Sequence, residues 1–360
     1  MFRILGILFV LALLIGGVLV YRILNAAGNF NEVTPHFAGK CETVKGVVGG
    51  EDMDLDRATG NLFISSQDRR PYPQTDETMK PGGIYLAKFD DPSVAPRLLT
   101  ANVPPFHPHG ISLYADAMGR KTLAVVNHPT LKTSEIMLFD VTEDKTADGA
   151  TTVELSLRRT VKDPLMHSLN DVTLISHEAF YTTNDHGSET DFGEQLETWL
   201  LLPRANVVYY DGTAAKTAAT GFNYANGINR NADASEIYVA EATGRSLQTF
   251  RRDADTGMLA HIHTLFLGVG PDNLDVDSDG AIWIGAHPRL LDFLAHAGDE
   301  SKHSPSAVLK VTPAGDDTKF ETVYVNMGEQ LSGSSVAIAH KNRLAIGPVF
   351  DPKFLNCTLN

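Results

Sequence analysis

The sequence predicts an all-β protein: a six-bladed β-propeller closed by an N-to-C-terminal disulfide and preceded by a hydrophobic helix. Three observations carry that prediction. After Cys41 the chain is filled with short alternating strands separated by Asp, Gly, Asn and Pro turns. Helical periodicity is rare, which removes an α/β reading. A weak polar repeat recurs along the whole length.

At the N-terminus, residues 4–20 run without a charge between Arg3 and Tyr21-Arg22. A spanning helix takes roughly 20 apolar residues, so the run is slightly short for one and long for the apolar core of a signal peptide. No good small-x-small cleavage site follows, since Gly16-Gly17 lies inside the run and Asn25-Ala26-Ala27 lies beyond Arg22. Residues 1–24 are therefore read as a retained signal-anchor, 25–40 as a linker and 41–360 as the propeller. Export follows in either case, membrane-anchored on the oxidising side or secreted if the segment is cleaved. Cys41 and Cys357 are the two cysteines. In a cytosol they would be unrelated buried thiols; in an exported chain, a pair at opposite ends reads as a disulfide.

Strands such as Asn61-Leu62-Phe63-Ile64-Ser65, Thr122-Leu123-Ala124-Val125-Val126 and Ala281-Ile282-Trp283-Ile284 share one grammar. A polar node opens a strand, a turn follows, and the second strand ends in another polar cluster. The nodes at Glu51, His109, Asn170, Asn226, Asn273 and Ser335 are about 47 to 62 residues apart, the spacing of four-stranded blades. Corresponding points of radial blades converge at one mouth of the central channel, so the repeat predicts a site as well as a fold. A pair of β-sandwiches is the alternative. One segment breaks the pattern: Phe192, Leu196, Trp199 and Leu200 follow helical spacing within a 192–202 amphipathic stretch. Core packing is the ordinary explanation for such a stripe. A lid or an interfacial membrane anchor are the others.

The chain has 360 residues and a net charge of −14. No Lys/Arg cluster offers a nucleic acid a basic face. Most of the carboxylates are a solvated acidic surface, but some stand at the nodes. Glu51, Asn170, Asn226, Asp272 and Asn273 present only oxygen donors, which select calcium over zinc or copper. Asp52 and Asp171 next door suggest a second, deeper oxygen site completed by backbone carbonyls. His109 precedes a predicted inner strand and His128 ends the following one, so the two face one channel mouth and can act as a general base and its partner, or as two structural histidines. His186 and His287 occupy corresponding strand ends. There is no Gly-x-Ser-x-Gly elbow and no phosphate-binding glycine loop.

The runs Gly50-Glu51-Asp52, Phe106-His107-Pro108-His109-Gly110, Asn127-His128-Pro129, Leu169-Asn170-Asp171, Asn184-Asp185-His186, Ala225-Asn226-Gly227, Asp272-Asn273 and Gly285-Ala286-His287-Pro288 resemble, in order, the serum paraoxonase/arylesterase family. The similarity extends from about Cys41 to Cys357. It implies a six-bladed propeller with a Cys41–Cys357 disulfide and two calcium ions in its tunnel. By that resemblance, Glu51, Asn170, Asn226, Asp272 and Asn273 hold a catalytic calcium. Asp52, Asp171 and the Ile111 carbonyl hold a structural one, and His109 is the base with His128 its partner. Tyr72 falls on an active-site loop and Phe350 on a pocket wall. Three positions depart from the family: Ala286 replaces a cysteine, Ser335 a threonine, and Tyr224 a common phenylalanine. They leave metal binding intact and bear on substrate preference.

The expected activity is calcium-dependent hydrolysis of lactones and aryl or carboxylic esters, with Asp272 as an alternative base or nucleophile for some substrates. The rival expectation is a membrane-held propeller that binds partners or lipophilic ligands around purely structural calcium. Oligomeric state is not legible in the sequence.

Overall fold

The computed structural model describes residues 2–103, 105–145 and 151–360. Six antiparallel sheets are arranged in chain order. Their first, axial strands are Gly50–Asp56, Pro108–Ala115, Leu169–Leu174, Ala225–Arg230, Gly270–Val276 and Ser334–His340. The middle strands read as nearly continuous apolar runs because both of their faces are covered. In Lys121–Thr130, for example, Leu123 and Val125 pack toward the first blade, whereas Ala124 and Val126 pack toward the third. The hydrophobic core is accordingly six separate clusters, one in each gap between neighbouring blades. This is the predicted propeller.

The ring is closed by a strand from the other end of the chain. Gly39–Lys45 forms the outer strand of the sixth blade by pairing with Lys353–Leu359. Cys41 stands directly opposite Cys357 in that register, and the two are joined by a disulfide across a sequence separation of 316 residues.

The stretch 25–40, expected as a linker, is docked instead. His36–Phe37 adds a strand to the outer edge of the fifth blade. Asn31 Nδ2 donates to the Gly268 and Pro288 carbonyls at 3.0 and 2.9 Å, and the Arg245 guanidinium donates to Asn25 O at 2.5 Å. Before it, the helix Phe2–Ala26 carries an apolar stretch long enough to cross a membrane and buries none of it in the protein.

A second helix, Asp191–Leu200, covers most of the 192–202 stretch that helical spacing marked. Thr190 caps it by accepting the Gly193 N–H. Core packing is not the reason for its apolar stripe. Phe192 and Trp199 are 72% and 55% exposed, and Glu197 is the residue turned inward, its carboxylate accepting the Gly187 N–H at 2.9 Å. The helix thus presents its hydrophobic face outward. A third helix, Leu290–Gly298, was not foreseen.

Every axial strand contains a register shift at its polar node: at Gly50/Asp52, Pro108/Ile111, Leu169/Val172, Ala225/Ile228, Pro271/Leu274 and Ser334/Val336. A bulge places an extra residue opposite one partner and re-aims side chains. It is this that lets adjacent residues such as Glu51 and Asp52 both serve the axis. Gly110 and Gly227 allow the strands to close up there. A Cβ on Gly110 would lie 2.2 Å from Asp171 Oδ1, and one on Gly227 2.4 Å from the Asp272 carbonyl.

The covalent closure makes a stability prediction. Replacing both cysteines by serine should lower unfolding free energy by up to about 5 kcal/mol, the chain-entropy scale for so long a loop. Urea denaturation of the double variant checks this, and a stability equal to wild type would mean that strand pairing alone closes the ring.

Candidate functional site

Four carboxylates and three amides from four blades meet at the axis. Glu51, Asp52, Asn170, Asp171, Asn226, Asp272 and Asn273 are all buried. Asp52 accepts the N–H groups of Met53 and Ile111 at 2.8 and 2.6 Å, and Asp171 accepts those of Val172 and Ile228, both at 2.7 Å. These bonds staple the first blade to the second and the third to the fourth. Ser335, buried in the sixth blade, donates to the Glu51 carbonyl at 2.6 Å. Asn273 Nδ2 donates to Glu51 Oε1 at 2.7 Å.

The oxygens aimed at the channel have no such partners. Among the described residues, Glu51 Oε2, Asn170 Oδ1, Asn226 Oδ1 and Asn273 Oδ1 are buried without a hydrogen bond, although orphaned buried acceptors are costly. No three His, Cys, Asp or Glu side chains of the described residues group closely enough to hold a metal ion by themselves. The donor set is instead amide and carboxylate oxygen, which suits a hard cation. Electrostatics agree. Burial pushes the Asp52 carboxyl well above the usual carboxylate range, and Asp171 and Glu51 push it further. Burial likewise raises Asp171, with Glu51 and Asp272 adding repulsion, and it raises Asp272 against the pull of His287. Glu51 goes the other way: burial raises it, but His109, Arg69 and Asn273 outweigh that and hold it at about 2. A divalent cation would relieve the repulsion and occupy the orphaned oxygens, so these residues fit calcium.

A histidine relay stands above this cradle. His109 Nε2 lies 3.5 Å from Glu51 Oε1, and its Nδ1 is 3.2 Å from His128 Nε2. His128 Nδ1 is in turn 3.2 Å from Ser134 Oγ. Burial lowers His128 to about 3, with the His109 ring adding to the effect, so His128 stays neutral at working pH. Ser134, His128, His109 and Glu51 thus form one continuous chain, in which the His109 Nε2 faces the cradle and the direction of each ring hydrogen bond is set by the tautomers.

Of the remaining expected pocket residues, Tyr72 and His186 line the cavity beside the histidine pair, whereas Tyr224, His287, Ser335 and Phe350 are not among its lining. His287 Nε2 bonds Asp272 Oδ2 at 2.9 Å, and its ring packs 4.1 Å from that of Phe293. Phe293 leads to Phe350, and Phe350 to Tyr72, at centroid distances of 5.6 and 5.9 Å. Across the mouth, the His186 ring meets Tyr224 edge-on at 5.1 Å, and His186 Nδ1 bonds Asp185 at 2.8 Å. A cavity of about 580 Å³ opens beside His109 and His128, lined also by Tyr72, Lys132 and Asp185.

Several residues here carried no sequence signal of their own. Arg69 stands 3.8 Å from Glu51 Oε2. Arg70 lies over the Phe350 ring at 4.9 Å and donates to the His296 and Ala297 carbonyls that end the third helix. Both arginines occupy the irregular connection between Asn61–Ser66 and Gly83–Lys88. Asp185 lay in a recognised motif, and its role appears only through His186 and Ser168.

The model of the arylesterase family matches residues 30–359. Human serum paraoxonase/arylesterase 2 is 35% identical over 89% of this chain and 88% of its own length. Human serum paraoxonase/arylesterase 1 is 33% identical over 91% of each. Among solved structures, a luciferin-regenerating enzyme superposes with a TM-score of 0.55 at 13% identity, covering 89% of this chain and 95% of that one. Regucalcin from Agrobacterium tumefaciens gives 0.51 at 14%, covering 89% and 93%. These two likenesses concern the fold.

The depressed His128 predicts a pH effect on stability. Its folded value lies near 3 against an ordinary 6.5, so between those values the unfolded chain takes up a proton that the folded chain refuses. The contribution of His128 should therefore turn against the fold as pH drops through that window, opposing the raised Asp52, Asp171 and Asp272, which favour it. His128→Gln should remove that contribution and make the variant relatively more stable at the acid end. Denaturation curves at pH 7, 6, 5 and 4 test it; an unaltered slope in the variant would mean that His128 protonates normally in the fold.

Proposed function

The chain belongs to the arylesterase family, and on that premise we propose that it is a calcium-dependent carboxylic ester hydrolase that opens lactones and cleaves aryl esters. The observation that carries the reading is the set of orphaned cradle oxygens directly beneath the His109–His128 pair. Glu51, Asn170, Asn226, Asp272 and Asn273 would hold the upper of two calcium ions; Asp52, Asp171 and the Ile111 carbonyl would hold the deeper one. Calcium at the upper position supplies Lewis acidity that polarises a substrate carbonyl.

The protein's own residues supply the proton handling. His109, whose Nε2 faces the cradle, accepts a proton from a water there. His128, neutral and fixed by Ser134, orients the His109 ring and shares the resulting charge. Asn170, Asn226 and Asn273 bring fixed dipoles that need no reorganisation during the reaction. Tyr72, Phe293 and Phe350 form the apolar wall that restricts water, and Tyr224 with His186 bounds the other side. A purely binding role would leave the histidine relay without a task.

The apolar helix Phe2–Ala26 and the outward stripe of Phe192, Leu196, Trp199 and Leu200 support a membrane association. The disulfide supports placing the propeller on the oxidising side, or in the exterior where the helix is removed.

His109→Gln should lower turnover of γ- and δ-lactones and phenyl acetate about 10²-fold, the scale of a lost general base; wild-type turnover would exclude His109 as the base. Wild-type activity should vanish on chelation and return with calcium. Separately, Glu51→Ala and Asp272→Ala should purify without the upper ion by elemental analysis, and a variant that keeps both ions would break the ligand assignment.

A further inference from the structure

The cavity wall holds a cation that the reaction above does not use. The Arg69 side chain is only 13% exposed and lines the cavity beside His109 and His128. Its two terminal nitrogens donate to the Gly49 and Pro108 carbonyls at 3.4 and 3.1 Å. Its distance of 3.8 Å from Glu51 Oε2 is charge pairing and too long for a hydrogen bond. A guanidinium carries five N–H donors, and these two bonds use only two of them.

That placement has an electrostatic cost. A fixed positive charge beside a carboxylate that is to hold calcium opposes the ion it should bind. Calcium binding alone would be better served by a neutral residue. The cost is offset when an anionic group of the ligand lies against the guanidinium, and a planar fork matches a carboxylate bidentately. Two of the acidic groups elsewhere on the wall have partners of their own: Asp185 bonds His186 and Ser168, and Glu194 pairs with Lys132. Gln67, Ser134 and His167 make much of the same wall polar.

Building on the hydrolase reading, we infer that Arg69 is a specificity-determining residue that binds a carboxylate carried by the substrate next to its scissile carbonyl. The preferred substrates are then acidic lactones and esters, of the kind that open to hydroxy diacids, rather than neutral lipophilic lactones.

The test compares two γ-lactones with calcium present, one bearing a ring carboxylate and one the matching carboxamide. Wild type should favour the carboxylate by about tenfold or more in kcat/KM, the worth of a charge-assisted pair. Arg69→Gln should lose that ratio and Arg69→Lys should keep part of it. Equal rates on both lactones in wild type, or an equal loss on both in Arg69→Gln, would overturn the assignment. Calorimetry with 2-hydroxyglutarate, the ring-opened product, decides the point independently of turnover. Binding that weakens about tenfold in Arg69→Gln supports the carboxylate site, and equal affinity in both proteins refutes it. If neither lactone is opened, the hydrolase reading fails while the calorimetry still judges Arg69.

Discussion

Four buried carboxylates within one channel repel one another, and the architecture around them is arranged to hold them there. Asp52 and Asp171 are tolerated because each accepts two backbone N–H groups, one from its own strand and one from the next blade. Glu51 is tolerated because His109, Arg69 and Asn273 surround it. The same bonds that steady the charges tie neighbouring blades together at the axis. A propeller gains its core between blades, in clusters that touch only their neighbours, so links at the centre are what make the six gaps one structure. Electrostatic demand at the site and cohesion of the fold are met by one set of contacts.

The bulges explain how a strand can supply that much polarity. In a regular strand, successive side chains point to opposite faces, so Glu51 and Asp52 could not share the channel. A register shift at each of the six nodes removes that restriction. It needs room, and Gly110 and Gly227 provide it where neighbouring backbones nearly touch. The recurrence of His-Gly and Asn-Gly at the nodes is therefore a packing requirement as much as a chemical one.

The sequence disclosed what repeats and concealed what does not. Blade number and the polar residues at the axis were legible because a short polar run recurs about every 47 to 62 residues, and the closing cysteines because they stand at opposite ends of the chain. The docking of residues 25–40 was not, since Asn31 reaches the Gly268 and Pro288 carbonyls across more than two hundred positions. Helical spacing identified Asp191–Leu200 correctly, yet periodicity tells only that a stripe exists. Glu197 and not Phe192 faces inward, because the Gly187 N–H needs an acceptor and the propeller's own gaps are already filled. Arg69 and Arg70 lie in an irregular connection rich in proline, where no period exists to assign them a direction. Their roles follow from proximity to Glu51 and Phe350, which only the folded chain creates.

The way residues 25–45 enter the ring also governs how the molecule bears a load. Tension arriving along the N-terminal helix meets first the Arg245 and Asn31 contacts on the fourth and fifth blades, then the short strand His36–Phe37 on the fifth, and last the Cys41–Cys357 bond on the sixth. The closing strand would otherwise peel away one hydrogen bond at a time, like a zip. Pulled through the disulfide, it must instead be sheared together with the C-terminal strand beside it. Traction on the N-terminal helix would in this way be spent on the rim of the ring before it reached the axial site.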